Sequence, residues 1–299
     1  MNKYIIDEYK DYKSKEIQSG YRCKTYLLEN DGNKVIYQIY LGDTKYQARK
    51  KEYITNIIKR EIDIEEIPNI IAVEEYEEFA YLVTEYKQGE EFKNFLNKEF
   101  DYKNFYKSLS NILSKVHSVH ITDEKFGWVH GDKILEKKFF YEYIEDEIER
   151  NLKRIDRIIT NKKCLDELKT KCNDALCKIR SIQNIKPVIS WYDINENNIL
   201  VDKEMNITAL LDAGGARIAA KEWDIAFIKM DLCRCEDEYS FFKSEYSKKA
   251  KIDDELLDAL TIIVELDDIA FQLETNTKLP ISFASNFNEV ISEIQKMIN

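Results

Sequence analysis

Trp191-Tyr192-Asp193-Ile194-Asn195-Glu196-Asn197-Asn198 is a polar loop set between two short apolar runs, Val188-Ile189 and Ile199-Leu200-Val201. Apolar strands fix the backbone on both sides of such a loop while its side chains stay accessible, which makes it a usual seat for chemistry. A further apolar run, Thr208-Ala209-Leu210-Leu211, then delivers Asp212. Asp193, Asn198 and Asp212 are the polar parts that phosphoryl transfer requires. An Asp beside an acceptor hydroxyl can orient it and take its proton, and an Asn with a second Asp offers hard oxygen ligands to a Mg²⁺ bridging nucleotide phosphates. Asn and Asp also form ordinary turns. Their order with Asp212, and with Trp223-Asp224 further on, favours the chemical reading.

Upstream, the first 86 residues read as mostly strands with one helix. Tyr26-Leu27-Leu28 and Val35-Ile36-Tyr37-Gln38-Ile39-Tyr40 flank Asn30-Asp31-Gly32-Asn33, a hairpin turn whose Asp-Gly pair tolerates positive φ. From Tyr46 to Ile62, Ile54, Ile57 and Ile58 recur at helical spacing, and Pro68 separates this helix from a second hairpin, Ile70–Val73 and Tyr81–Val83. Gly89 follows as a flexible point between two parts of the chain. Beyond it helical periods dominate, with Leu109, Leu113, Val116 and Val119 in one stripe and Ile144, Ile148, Leu152, Ile155 and Ile159 in another. Leu256, Leu260, Ile263 and Leu266 mark a third.

The 299 residues are 44% hydrophobic and 34% charged with three prolines, which suits a compact, helix-rich chain with a sizeable core. A formal charge of −11 argues against a nucleic-acid partner, since phosphate backbones are held by clustered Lys and Arg. It would draw in a cationic substrate instead. No run approaches the ~20 apolar residues of a membrane span, so no membrane partner is expected. Met1-Asn2-Lys3-Tyr4 lacks the apolar stretch of a secretory signal, and a cytoplasmic setting with reduced thiols is expected for the six cysteines. Cys233-Arg234-Cys235 and the trio Cys164, Cys172 and Cys177 lack the paired spacing of a zinc site. His117 and His120 read as capping or surface groups at a helix end. The acidic clusters Glu236-Asp237-Glu238 and Glu265, Asp267 and Asp268 read as exposed helix faces, with an amine-binding cleft as the alternative.

Asp193, followed five residues later by Asn198, resembles the catalytic loop of the aminoglycoside phosphotransferase and choline kinase family, which reads His-Gly-Asp and then Asn at that spacing. The resemblance implies an α+β, protein-kinase-like two-lobe fold. Residues 1–88 would form a nucleotide-binding lobe of antiparallel sheet with one main helix, and residues 89–299 a larger, mostly helical lobe with the catalytic loop and acceptor site. By the same resemblance Asp193 is the catalytic base, and Asn198 and Asp212 hold the metal. Trp223-Asp224-Ile225-Ala226 is similar to the family's Trp-Asp-Leu-Ala helix start, whose Asp braces the loop. Ser19 and Gly20 fall in the turn that would cover the phosphates. Glu52 lies on the helix that should carry an ion-pairing Glu, and Glu85 and Lys87 fall where the hinge would hold the base.

Gln38 stands where the family carries a phosphate-contacting Lys. A neutral amide can hydrogen-bond a phosphate without the charge-assisted part, so nucleotide binding or rate should suffer unless Lys24 or Lys34 compensates. Trp191 replaces the loop's His. His130-Gly131-Asp132 spells the family motif but has Lys137 where a metal ligand is required, and it reads as a turn between helices. The resulting expectation is a phosphotransferase using Mg²⁺ with ATP or GTP on a hydroxyl of a small cationic molecule, an aminoglycoside favoured, in a monomer or homodimer. Choline, homoserine or a sugar are alternative acceptors. A nucleotide-binding pseudokinase is the reading from a different class, prompted by Gln38, Trp191 and the single Gly of the covering turn.

Overall fold

The computed structural model describes residues 4–19, 23–96, 98–121, 125–275, 277 and 282–298. The chain opens with strands β1 (Lys13–Ser19), β2 (Lys24–Asn30) and β3 (Asn33–Leu41), helix α1 (Tyr46–Glu61), and strands β4 (Ile70–Glu75) and β5 (Phe79–Glu85). These strands form one antiparallel sheet in the order β1-β2-β3-β5-β4. The β2–β3 turn pairs Asn30 with Asn33, and Asp31 and Gly32 take φ of 48° and 82°, the conformation the Asp-Gly pair predicts.

Alternation along the strands sorts this sheet into two faces. Tyr37, Ile39, Tyr81 and Val83 bury one face with Tyr9 and Tyr26, while Tyr40, Ala80 and Leu82 pack the other against Ala48 of α1. Gln38 shares the α1 side by that alternation. The helix has a second apolar contact, because Ile54 and Ile58 join the main core of the C-terminal part together with Ile64, Ile67 and Phe92. Helix α1 is thereby held from both directions.

The remainder runs through β6 (Glu90–Glu91), α2 (Tyr102–Val116), β7 (Phe126–His130), β8 (Lys133–Lys137), α3 (Phe140–Asp156), α4 (Lys162–Ser181), β9 (Val188–Ser190), β10 (Ile199–Val201), β11 (Ile207–Leu210) and β12 (Arg217–Ala219). Then follow α5 (Glu222–Phe227), a π-helical turn (Ile228–Leu232), α6 (Glu236–Ser247), α7 (Asp254–Thr275) and α8 (Asn288–Ile298). Strands β11-β10-β6 make one small sheet and β8-β7-β12-β9 another. Helix α7 buries Leu256, Leu260, Ile263 and Leu266 and packs against α3, α4 and α5. The fold is of mixed α and β type, a five-stranded antiparallel sheet with one helix followed by a mostly helical remainder, as the resemblance implies.

Two local readings change. His130-Gly131-Asp132 is the tip of the β7–β8 hairpin and not a turn between helices: His130 pairs with Lys133 across it. The strand Phe126–His130 is only five residues long, has no alternating burial and lies among long helical periods, so nothing marks it at sequence level. Gly89, expected as a flexible point, is a close-packing glycine. A Cβ there would lie 2.4 Å from Thr208 Oγ1 and 2.8 Å from Leu200 Cβ. Among the described residues no helix is long and apolar enough to cross a membrane.

Candidate active site

Strand β9 ends at Ser190, and the loop that follows is organised by one buried carboxylate from α5. Asp224 Oδ1 accepts from Ser190 Oγ (2.7 Å) and the Tyr192 N–H (2.8 Å). Its Oδ2 accepts from the Trp191 N–H (2.7 Å) and lies 2.9 Å from His117 Nε2. Four partners compensate the cost of burying the charge. His117 is the C-cap residue of α2, its N–H donating to the Leu113 carbonyl (2.8 Å), but it is not a surface group: it is buried, with Nδ1 2.7 Å from the Tyr246 hydroxyl, whereas His120 stays exposed.

The same loop is tied to the segment that carries Asp212. Trp191 Nε1 donates to the Leu211 carbonyl (3.2 Å), the Leu211 N–H donates to the Asn198 carbonyl (2.7 Å), and Asn198 Nδ2 donates to the Asp193 carbonyl (3.1 Å). Asp193, Asn198 and Asp212 therefore belong to one hydrogen-bonded unit. Trp191, in the position of the family's His, does part of this work through its indole N–H.

Tyr192 adopts φ of 68°, a left-handed conformation that costs a non-glycine residue about 1–2 kcal/mol. Its surroundings hold it there. The Arg217 guanidinium lies 3.4 Å from the Tyr192 ring centroid and 4.0 Å from that of Trp128, and the Tyr192 hydroxyl donates to Asp267. Arg217 is fully buried and donates to Tyr143 (3.1 Å) and Glu147 (3.2 Å).

Asp212 is also left-handed, with φ of 60°. Its Oδ1 accepts from the Gly214 N–H (2.9 Å) and from Lys51 Nζ (2.9 Å). Lys51 was not singled out from the sequence. Its Nζ also donates to Gln38 Oε1 (3.2 Å) and sits 5.4 Å from the Tyr40 ring centroid. Burial would lower the ammonium's pKa, but the Asp212 carboxylate and Tyr40 outweigh it and hold the pKa above the usual range, so the charge is retained. Gly214 makes room for this arrangement, since a Cβ there would stand 2.6 Å from Asp212 Oδ1 and 3.2 Å from Lys51 Cε.

Glu52, expected as the inward ion-pairing residue of α1, is instead bonded to Arg49 Nη1 (2.8 Å). The helical phase explains the correction. Gln47, Lys51, Ile54 and Ile58 share the buried face at spacings of three and four, and Glu52 falls beside it. The same phase, read from Ile54 and Ile58, would have pointed to Lys51. Neither lysine proposed to compensate for Gln38 meets it: Lys34 lies 5.5 Å from the Tyr86 ring and 4.0 Å from Glu29, and Lys24 is exposed on β2, opposite Ile39. Gln38 Nε2 faces Thr25 Oγ1 (3.4 Å) and Cys23 Sγ (3.8 Å). Ser19 is the last residue of β1, and Gly20 lies outside the described residues. At the end of β5, Glu85 is paired with Lys87 and bonded by Asn69 Nδ2 (2.5 Å).

Beside Asp193 the π-helical turn carries Asp231, and α7 carries Asp267 and Asp268. The Asp231 carboxyl is open to solvent yet closely ringed by protein, and its pKa is raised well above the usual carboxylate value by that surrounding and by Asp268, Glu196 and Asp193. Burial first, then Asp267 and Glu265, push Asp268 up to about 6. The exposed-face reading of this cluster is therefore replaced. Glu265 is buried and accepts from the Asn286 (2.7 Å) and Phe287 (3.2 Å) N–H groups ahead of α8, while Asp267 and Asp268 are half-buried.

The donor set suits Mg²⁺. With its nitrogen committed to Asp193, the Asn198 amide has its oxygen to offer, and Asp212 adds a carboxylate. Mg²⁺ is commonly held by one or two protein oxygens plus phosphates and waters. Among the described residues no cluster of three or more His, Cys, Asp and Glu forms a closed cage.

Comparison with proteins of known structure bears on the fold. An aminoglycoside phosphotransferase, APH(4)-Ia, superposes with a TM-score of 0.71 at 13% identity, covering 97% of this chain and 95% of that one. A spectinomycin phosphotransferase, APH(9)-Ia, solved with ADP and spectinomycin, gives 0.61 at 16% identity over 96% and 89%. A macrolide 2'-phosphotransferase of type I gives 0.63 at 11% identity over 95% and 90%. No curated protein sequence matches the chain. The family model of the phosphotransferase enzyme family, APH, matches residues 13–242, well over half of the 299, and the chain belongs to that family of small-molecule kinases.

Proposed function

We propose that the chain transfers the γ-phosphoryl group of Mg·ATP or Mg·GTP to a hydroxyl of a small cationic acceptor, with an aminoglycoside favoured. The observation that carries this is the single hydrogen-bonded unit containing Asp193, Asn198 and the Leu211-Asp212 segment. Asp193 would orient the acceptor hydroxyl and take its proton as the new bond to phosphorus forms. Asn198 and Asp212 would hold Mg²⁺, which when bound neutralises charge on the transferring phosphates. Residues 1–88 would carry the nucleotide, with the end of β1 at Ser19 over its phosphates, Gln38 beneath them, and the backbone near Glu85 and Lys87 against its base. Residues 89–299 would carry the acceptor. The carboxylates Glu196, Asp193 and Asp268 around Asp231 support a cationic acceptor, since bringing in an amine relieves the repulsion that, after burial, raises the Asp231 pKa.

The test is release of nucleoside diphosphate from Mg·ATP and from Mg·GTP by the purified chain, across aminoglycosides, choline, homoserine and amino sugars. Release that depends on an aminoglycoside and vanishes in Asp193→Ala is the expected result. Release that persists in that variant would remove Asp193 from the mechanism, and stimulation by choline, homoserine or a sugar alone would reassign the acceptor.

A further inference from the structure

We infer that in this chain the cation meeting the nucleotide's phosphates is supplied by helix α1, as Lys51, and not by the sheet. The inference rests on the phosphotransferase reading above and adds a residue to it. On the strand, Gln38 is neutral, and Lys24 and Lys34 lie elsewhere. On the helix, the residue aimed at the sheet and at Asp212 is Lys51, whose side chain is 7% exposed while that of Asp212 is 36% exposed. The ammonium thus stands behind a carboxylate that borders open space.

The charges around it decide what it can do. A buried ammonium is costly unless it is paired, and the partners found for Lys51 are Asp212 at 2.9 Å, the Gln38 carbonyl at 3.2 Å and the face of Tyr40. One of these is charged. When the Asp212 carboxylate is engaged by a metal ion, Lys51 keeps two neutral partners and a unit of positive charge that an anion can answer. A lysine on the strand facing a glutamate on the helix would sum to zero; Gln38 facing Lys51 sums to +1. The site has gained charge by moving it to the other element. The competing account is a structural clamp, in which Lys51 only pins α1 to the turn Ala213–Gly215.

Calorimetric titration separates the two accounts. The full chain, Lys51→Gln, Lys51→Glu and the exchange variant Gln38→Lys/Lys51→Glu are each titrated with Mg·ATP and with adenosine, and with Mg·GTP and guanosine in parallel. A charge-assisted contact to phosphate predicts that Lys51→Gln weakens the Mg-nucleotide by about 10-fold or more and leaves the nucleoside within about twofold. The exchange variant should bind the Mg-nucleotide far better than Lys51→Glu alone. Equal losses for nucleotide and nucleoside, no loss in Lys51→Gln, or no recovery in the exchange variant would each overturn the inference. If Lys51→Gln does not fold, the comparison of the exchange variant with Lys51→Glu decides. A wild-type chain that binds neither nucleotide would bring down the phosphotransferase reading itself, whereas wild-type binding with an indifferent Lys51→Gln would bring down this inference alone.

Discussion

The two sides of the proposed site are built in opposite ways. On the loop side one fully buried carboxylate, Asp224, is saturated with four partners, Ser190, Trp191, Tyr192 and, just past α2, His117. On the proposed phosphate side Lys51 and Gln38 meet through one hydrogen bond between two elements, with the charge shared toward Asp212. The first side is over-determined, so its residues are individually expensive to lose. The second rests on that single contact, with the cation contributed by the helix and a neutral amide by the strand. On the proposed function, precision would be concentrated where the proton moves, and latitude left where charge alone is needed.

The largest expected effect lies on the loop side. Asp193→Ala should lower turnover by about 10²–10⁴-fold while nucleotide affinity stays near wild type, measured by coupled assay and calorimetry. A parallel fall in both would mean that Asp193 shapes the nucleotide site, and the contrast between the sides would dissolve.

Next comes Asp224→Ala. Removing the carboxylate leaves the Trp191 and Tyr192 N–H groups buried without partners, and about 3–5 kcal/mol of stability should be lost in thermal or urea unfolding. A loss under about 1 kcal/mol would show that the loop is not braced as described.

A smaller effect concerns the acid cluster. The native Asp268 carboxyl, pushed up to about 6, holds its proton more tightly than an unfolded Asp near about 3.9. Its contribution therefore favours the folded state at low pH and is lost as pH rises from about 4 through about 6. Asp268→Asn should match wild type near about pH 4 and exceed it by about 1–2 kcal/mol near about pH 8. Unfolding curves at both pH values check this, and a variant less stable than wild type at the higher pH would contradict it.

The smallest effect sharpens the phosphate side. Glu52→Ala removes only the pair with Arg49 on the helix flank, so stability should change by less than about 0.5 kcal/mol and turnover by less than about twofold. A large loss of turnover would restore Glu52 to the site and challenge the helical phase that brings Lys51 inward.

What could be read from the chain alone follows the same division. Asp193, Asn198, Asp212 and Asp224 lie within a continuous stretch whose spacing is set by local strands and turns, so their order carries the geometry. The hairpin at Asp31-Gly32 was legible for the same reason. Lys51 and Gln38 come from a helix and a strand, and their meeting depends on the rotation of α1 over the sheet. A rotation of one residue, about 100° on a helix, separates Lys51 from Glu52, and family position pointed to the wrong neighbour. His117 was missed because its partner Asp224 is remote in sequence and no local pattern links them.

The hub built around Asp224 and Arg217 also carries its own spectroscopic label. The chain has three tryptophans, Trp128, Trp191 and Trp223. Trp191 is in the loop, Trp223 precedes Asp224, and Trp128 and Trp223 lie 4.0 Å and 5.1 Å from the Arg217 guanidinium. The five-stranded sheet is buried around Tyr9, Tyr26, Tyr37, Tyr40 and Tyr81 and holds no tryptophan. Selective tryptophan excitation therefore reports on the hub alone, and tyrosine emission is weighted toward the sheet. Without any added dye, the intrinsic fluorescence of the native chain can show which side of the cleft loosens first on warming and which responds when a nucleotide or an acceptor arrives.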